Sequence, residues 1–308
     1  MSLEEYLNSI KGMDEDLRVS PRHAIYPTID PKLHYTNQTF AGKVVLITGA
    51  SRGIGRETSL HYARAGAAVV LVGREQQTLN TTKDLVLKEV PDAKVLVKAV
   101  DVKDWKAAEE AVGDAVKAFG KLDVVVVNAG AMTPLGVGIK DKNPVSWWNT
   151  FEVNIFGVFN FVRPAIPHLE KTSGYIVAVG SAAAQLRMSN NSDYGVSKHA
   201  LNRLVEYIAL GQKSLFLHDF ENPNIKAFTL HPGVIATQMA EEAGAVEAFL
   251  MPDSVDLPAA TMLYLTSGKA DWLNGRYVSA SWDLGEVEQV WKEKILEKDA
   301  LVNKLYIP

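Results

Sequence analysis

The chain contains no cysteine among its 308 residues, which excludes disulfides and thiolate catalysis. Cytosolic residence is compatible with that composition, and a cytoplasmic location is expected. Positive charge is also sparse. The formal net charge is −4 and no long basic run occurs, so a nucleic-acid-binding surface is not expected. No apolar stretch reaches the roughly 20 residues needed to span a bilayer, so no membrane partner is expected either. The seven histidines never fall in His-x-His or His-x-x-x-His spacing, and no metal site is expected. The N-terminus "MSLEEYLNSIKGMDEDLRVS" is acidic and lacks the basic-then-apolar order of a secretory signal. What remains is the balance of a soluble globular protein, with 47% hydrophobic and 22% charged residues.

Residues 1–40 read as an N-terminal extension. The stretch "PRHAIYPTIDPKLHY" carries three prolines, which argue for an extended strap rather than a helix. From residue 43 a regular alternation begins. "KVVLIT", "AVVLVG", "KVLVKAVD", "LDVVVVNAG", "SGYIVAVGS", "IKAFTLHPG" and "GRYVSA" are short apolar, β-branched runs, as expected for strands buried on both faces of a parallel sheet. Helical patterns separate them, notably around 75–89, 104–119, 145–169 and 194–215. The expectation is a single α/β domain over 41–285, a doubly wound Rossmann-like parallel sheet of about seven strands with helices on both faces. Residues 286–308 are expected to form an amphipathic helical tail.

The first strand runs into "TGASRGIG", residues 48–55, and then a helix. Glycines there allow a tight turn and let the backbone approach a diphosphate at a helix N-terminus. The spacing G-x-x-x-G-x-G departs from the commoner G-x-G-x-x-G, and a plain glycine-rich turn would look the same in isolation. A Walker-type loop is excluded because no Gly-Lys-Ser/Thr ends it. At the end of the second strand, where an NAD site usually has an acid for the ribose hydroxyls, the sequence has Arg74. Arg52 inside the loop adds a second guanidinium. Two such groups suit a 2′-phosphate, so NADP(H) is favoured over NAD(H).

"SDYGVSKHA", residues 192–200, places Tyr194 and Lys198 about one helical turn apart on one face. By itself the pair is compatible with an ordinary helix surface. A phenol with a pKa near ~10 becomes a useful proton donor and acceptor only when cations draw that value toward the working pH.

The ordered set "TGASRGIG", "DV" at 101–102, "VNAG" at 127–130, Asn154, Ser181, "YGVSK" and "HPGVIAT" resembles the short-chain dehydrogenase/reductase family over about residues 42–285. One departure is Val127, where many members have a first asparagine. The resemblance implies an NAD(P)-dependent oxidoreductase acting on CH–OH/C=O groups, with Asn154, Ser181, Tyr194 and Lys198 as catalytic residues. It implies cofactor contacts from Gly49, Ser51, Arg52, Gly53, Ile54 and Gly55 in the loop, Arg74, Asp101 and Val102 near the adenine, and Asn128, Ala129 and Gly130 after the fourth strand. Tyr194 and Lys198 join them, Lys198 at the nicotinamide-ribose hydroxyls; Pro232 and Gly233 would shape the turn beneath the nicotinamide, with Val234 a further cofactor contact and Thr237 reaching either the carboxamide or the diphosphate. Tyr194 would then be the proton shuttle, Ser181 would bind the substrate oxygen, and Asn154 would hold a relay water.

The segment "TQMAEEAGAVEAFLMPDSVDLP" falls where this family carries a substrate lid, and Met239, Phe249, Leu250 and Met251 suit a small-to-medium apolar ketone, aldehyde or secondary alcohol. Met132, Trp147 and Trp148 are further candidates, with packing the commoner use of the tryptophans. Two alternatives stand beside this reading. One is reduction of a 3-oxoacyl thioester on a carrier protein, which the net charge does not encourage. The other is a catalytically silent NADP(H)-sensing protein. A homodimer or homotetramer through the helices near 145–169 and 194–215 is the expected assembly.

Overall fold

A computed structural model describes residues 10–210 and 224–305, together with the backbone but not the side chains at 247 and 248. Seven strands form one sheet: β1 (Val44–Thr48), β2 (Ala68–Gly73), β3 (Val95–Ala99), β4 (Val124–Val127), β5 (Tyr175–Val179), β6 (Lys226–His231) and β7 (Tyr277–Ser279). Their spatial order is β3-β2-β1-β4-β5-β6-β7, and every neighbouring pair is parallel. Both faces of β1, β2 and β4 are buried, which is why these strands read as unbroken β-branched runs. The edge strand β3 is only half-buried.

The connecting helices are α2 (Gly53–Arg64), α3 (Gln76–Glu89), α4 (Trp105–Phe119), α5 (Pro144–Phe151), α6 (Gly157–Thr172), α7 (Ser192–Leu210), α8 (Gln238–Glu242) and α9 (Asp256–Leu265), with α1 (Lys32–Asn37) preceding the sheet. Residues 211–215 of the helix expected over 194–215 lie outside the described residues. The chain order reverses between β1 and β4, so the crevice at their C-terminal ends is the place where a doubly wound sheet takes its ligand.

Two apolar layers flank the sheet. One holds Val45, Ile47 and Leu71 against α9 and the N-terminal segment; the other holds Leu46, Val70, Val125 and Ile176 against α4 and α6. The strap is a structural part of the first layer, since Tyr26, Ile29 and Phe40 are buried in it. It is also not wholly extended. Pro27 opens a 3₁₀ turn over Pro27–Ile29, and Pro31 is the N-cap of α1. Prolines at helix starts lack only an N–H that would have had no partner, so they begin these turns instead of forbidding them. The tail departs from expectation as well. It is helical through a turn at Leu284–Glu286, a π turn at Val287–Trp291 and a helix at Lys292–Glu297, and then becomes irregular. There it returns to α7, with Asn303 donating its N–H to Glu206 at 2.7 Å. No helix among the described residues is long and apolar enough to cross a membrane.

Candidate active site

The glycine loop between β1 and α2 is pinned by β4. Asn128 donates its Nδ2 to the carbonyls of Thr48 and Gly49 at 3.0 and 3.2 Å, while the N–H groups of Asn128 and Ala129 reach the Thr48 hydroxyl. The fit is too close for side chains. A Cβ on Gly55 would lie 2.2 Å from the Gly49 carbonyl oxygen, and Gly49 itself has φ +66°. Arg52 caps α2 in extended geometry, Ser51 and Ile54 are half-buried beside it, and Gly53 lies within 3.7 Å of the Thr237 methyl, measured from an ideal Cβ. Thr237, the N-cap of α8, therefore closes the loop from the far side of the cleft.

Arg52 and Arg74 are both exposed, and their guanidinium groups have no hydrogen-bond or ion-pair partner among the described residues. Asp101 is exposed, and its carboxylate accepts the N–H of Lys103 in a local turn. Val102 is buried, its carbonyl held by Asn160 Nδ2 at 2.8 Å and its side chain pressed against Gly157. Asn160 and Gly157 carried no signal in the sequence as supports of this loop, because both lie on α6, far along the chain.

The candidate catalytic side chains come from three elements. Tyr194 and Lys198 project from the first turns of α7, Ser181 follows β5, and Asn154 lies in a π turn, Glu152–Phe156, between α5 and α6. Such π turns leave backbone groups off the regular ladder and recur at functional sites. Asn154 is fully buried. Its Oδ1 accepts the N–H of Ala131 at 2.8 Å, and its Nδ2 donates to the Ala131 carbonyl and to Ser197 Oγ, each at 2.9 Å. It thus ties the strand-end loop at Gly130 and Ala131 to the helix of Tyr194. Gly130 is flanked by Asn154 Oδ1 and Lys198 Nζ, 3.5 and 3.8 Å from where its Cβ would stand.

Lys198 is buried without a carboxylate partner among the described residues. Its ammonium donates to the Val179 carbonyl at 2.6 Å, and burial lowers its pKa to about 8. The Tyr194 ring centroid lies 5.6 Å from Lys198 Nζ. Burial raises the Tyr194 pKa, and a hydrogen bond with Ser181 works in the opposite direction without cancelling it. In this geometry the phenol keeps its proton at neutral pH, and the lysine alone does not bring its pKa down. Ser181 Oγ also accepts the N–H of Ala183 at 3.1 Å, capping a short 3₁₀ turn.

Next to Tyr194, Asp193 and Lys142 form an ion pair at 2.5 Å with both side chains buried. Asp193 further accepts from the hydroxyls of Thr133 and Thr150 at 2.7 and 3.2 Å. Burial would raise the Asp193 pKa, but the bonds from Lys142 and Thr133 prevail and hold it below its usual value. This cluster fastens the loop 131–143 to the start of α7. The sequence offered no pointer to it, since Lys142 is distant along the chain and lysine is a common surface residue. Trp147 and Trp148 lie nearby on α5. Trp147 packs on Phe151 with ring centroids 4.5 Å apart and donates Nε1–H to Ser192, whereas Trp148 is exposed. After β6, Pro232, Gly233 and Val234 form a turn in which Gly233 has φ +99°. The segment expected to form a lid contains α8 and a single turn at Ala245–Ala248, with Leu250 91% exposed and Met239, Phe249 and Met251 half-buried.

A parallel sheet with a glycine loop at its switch point, and a half-buried tyrosine beside a buried lysine on the adjoining helix, defines a dinucleotide-binding α/β protein. A family model described as short chain dehydrogenase matches residues 43–248. The chain is 34% identical over 275 residues to the short chain dehydrogenase mpl6 of Monascus purpureus, covering 86% of this chain and 89% of that one. Among solved structures, carveol dehydrogenase from Mycobacterium avium in complex with NAD superposes with a TM-score of 0.69 at 24% identity, over 78% of this chain and 96% of that one. The alcohol dehydrogenase from the archaeon Thermococcus sibiricus complexed with 5-hydroxy-NADP does so with a TM-score of 0.64 at 26% identity, over 77% and 95%. The chain belongs to the short-chain dehydrogenase/reductase family and is an NAD(P)-dependent oxidoreductase.

Proposed function

We propose that the protein is an NADP(H)-dependent oxidoreductase interconverting a ketone or aldehyde and an alcohol on a small-to-medium apolar substrate, with Tyr194 as proton donor and acceptor. The observation that carries this reading is the convergence of Lys198 and Asn154 beside Gly130, with Tyr194 next to Lys198 and hydrogen-bonded to Ser181, together with a glycine loop too tight for a Cβ at Gly49 and Gly55. The residues fit a dinucleotide: the glycine loop leaves no room for a Cβ at Gly49 or Gly55, and the exposed guanidinium groups of Arg52 and Arg74 have no partner among the described residues. The bound nicotinamide supplies or accepts the hydride.

The chain's own residues manage the oxygen and its proton. Ser181 and Tyr194 hold the substrate oxygen between two hydroxyls, and the Tyr194 proton passes to it as negative charge develops. Lys198 supplies the positive charge that stabilises the resulting phenolate, and its depressed pKa keeps a proton within reach at neutral pH. Asn154 holds the strand-end loop and α7 in register. Asp101 and Val102 flank the adenine, and Arg52 and Arg74 pair with a 2′-phosphate. The half-buried Met239, Phe249 and Met251 supply an apolar wall for the substrate. Exposed Phe156 and Phe159 on the 152–172 helical stretch and Val196 and Tyr207 on α7 support assembly as a homodimer or homotetramer.

The test is NADPH and NADH oxidation against a panel of ketones, diketones, quinones and 3-oxoacyl thioesters. Arg52→Ala with Arg74→Ala is expected to raise KM for NADPH by about 10- to 100-fold while leaving NADH nearly unchanged, the loss of two charge-assisted contacts. Equal losses with both cofactors would sink the 2′-phosphate assignment.

A further inference from the structure

The family model begins at residue 43, so the strap lies outside it, yet the strap reaches Asp253, which is bonded to the turn after β6. Its residue His23 directs Nδ1 at Asp253 Oδ1, 2.6 Å away, and its carbonyl accepts the N–H of Ser254 at 2.8 Å. Asp253 stands at the end of the lid with its side chain only 2% exposed, while the imidazole that covers it is 54% exposed. The other carboxylate oxygen of Asp253 accepts the N–H of Val234 at 2.5 Å, and the Asp253 N–H returns to the Val234 carbonyl at 3.3 Å. This carboxylate sits so close over Gly233 that a Cβ there would come within 2.6 Å of it. On the other side of the turn, His231 accepts the N–H of Ala182, the residue after Ser181, at 3.2 Å.

We propose that His23 and Asp253 are a positioning pair: the strap fixes the Pro232-Gly233-Val234 turn from outside, and through it sets the affinity for the nicotinamide end of the cofactor. This rests on the reading of that turn as part of the cofactor site. The physical reason is that a buried carboxylate must have its lone pairs met. Val234 meets one oxygen and His23 the other. Without the imidazole, Asp253 turns toward water and releases the Val234 amide, and Gly233, having no side chain to hold it, follows. The strap is otherwise secured independently. Arg22 pairs with Asp283 at 2.5 Å, Arg187 pairs with Glu15 at 2.6 Å, and Trp282 donates to Asp16 at 2.8 Å. Loss of His23 alone therefore leaves the strap in place.

The experiment is fluorescence titration of the full-length protein with NADPH and NADH, which needs no turnover, followed by steady-state kinetics and a thermal melt. His23→Ala is expected to weaken binding of the preferred cofactor about tenfold, the equivalent of one charge-assisted hydrogen bond. His23→Asn, whose amide N–H takes the place of Nδ1–H, is expected to restore it to within about threefold by keeping that bond. Asp16→Ala, which removes the acceptor of Trp282 Nε1–H seven residues before His23, is expected to lower Tm without changing the dissociation constant. Unchanged binding in His23→Ala overturns the proposal, as does equal weakening by Asp16→Ala or failure of His23→Asn to rescue. If the wild type binds neither cofactor, the reading of the site itself falls. That result is separate from any difference among the variants.

Discussion

Lys198 shows how a single residue divides stability from function. Buried, and without a counter-charge among the described residues, it has a pKa of about 8 in the fold against an ordinary value of 10.5. The unfolded chain therefore binds more protons between pH 8 and 10.5, so stability rises with pH across that window, and the cost of burying the charge is fully present below it. That cost is about 3 kcal/mol by linkage, offset in part by the bond to the Val179 carbonyl. Lys198→Met is thus expected to stabilise the protein by about 1–2 kcal/mol at pH 7, seen in denaturant melts, while abolishing turnover. A destabilised variant would refute this account of the site. Tyr194→Phe removes a hydroxyl and leaves the ring in place. It is expected to lower kcat by about 10²–10⁴-fold with little change in cofactor binding. Both residues were legible in the sequence as one face of a helix. The direction of the tyrosine's shift was not, because burial, which raises it, is a property of the packed site.

At the scale of elements, the buried Asp193–Lys142 pair joins the loop 131–143 to α7. Removing one partner leaves an unpaired buried charge. Lys142→Met is expected to cost about 3–5 kcal/mol in chemical denaturation, and combining it with Asp193→Leu to recover part of that loss. A double variant as unstable as the single one would show that the threonine bonds, rather than the charge, govern this junction. The alternation of strands and helices was readable from β-branched runs and their spacing, and the structure has all seven expected strands. The π turn holding Asn154 was not readable, since it conforms to the surrounding helical pattern. Nor was the helix after Pro31. Proline forbids a helix interior and favours a helix start, and only the chain's path decides which applies.

For the whole molecule, His231 links acid stability to the cleft. Burial lowers its pKa to about 4, with Asp253 acting in the opposite direction. The unfolded chain binds the extra proton between pH 6.5 and 4, so stability is present above 6.5 and is lost as pH falls through that window, by about 3 kcal/mol in all. His231→Asn keeps an acceptor for Ala182 and is expected to flatten the stability–pH curve between pH 4 and 6.5; an unchanged slope would assign acid sensitivity elsewhere. By itself the sequence determined the parallel sheet, the glycine loop and the tyrosine–lysine face, because each depends on neighbours a few residues apart. Contacts between distant segments were decided only by the tertiary structure. Asn160 on Val102, Lys142 on Asp193, and His23 on Asp253 each join polar groups that look solvent-facing along the chain. Folding alone brings each pair together and buries at least one member, and a buried polar group must find its partner wherever the fold places one.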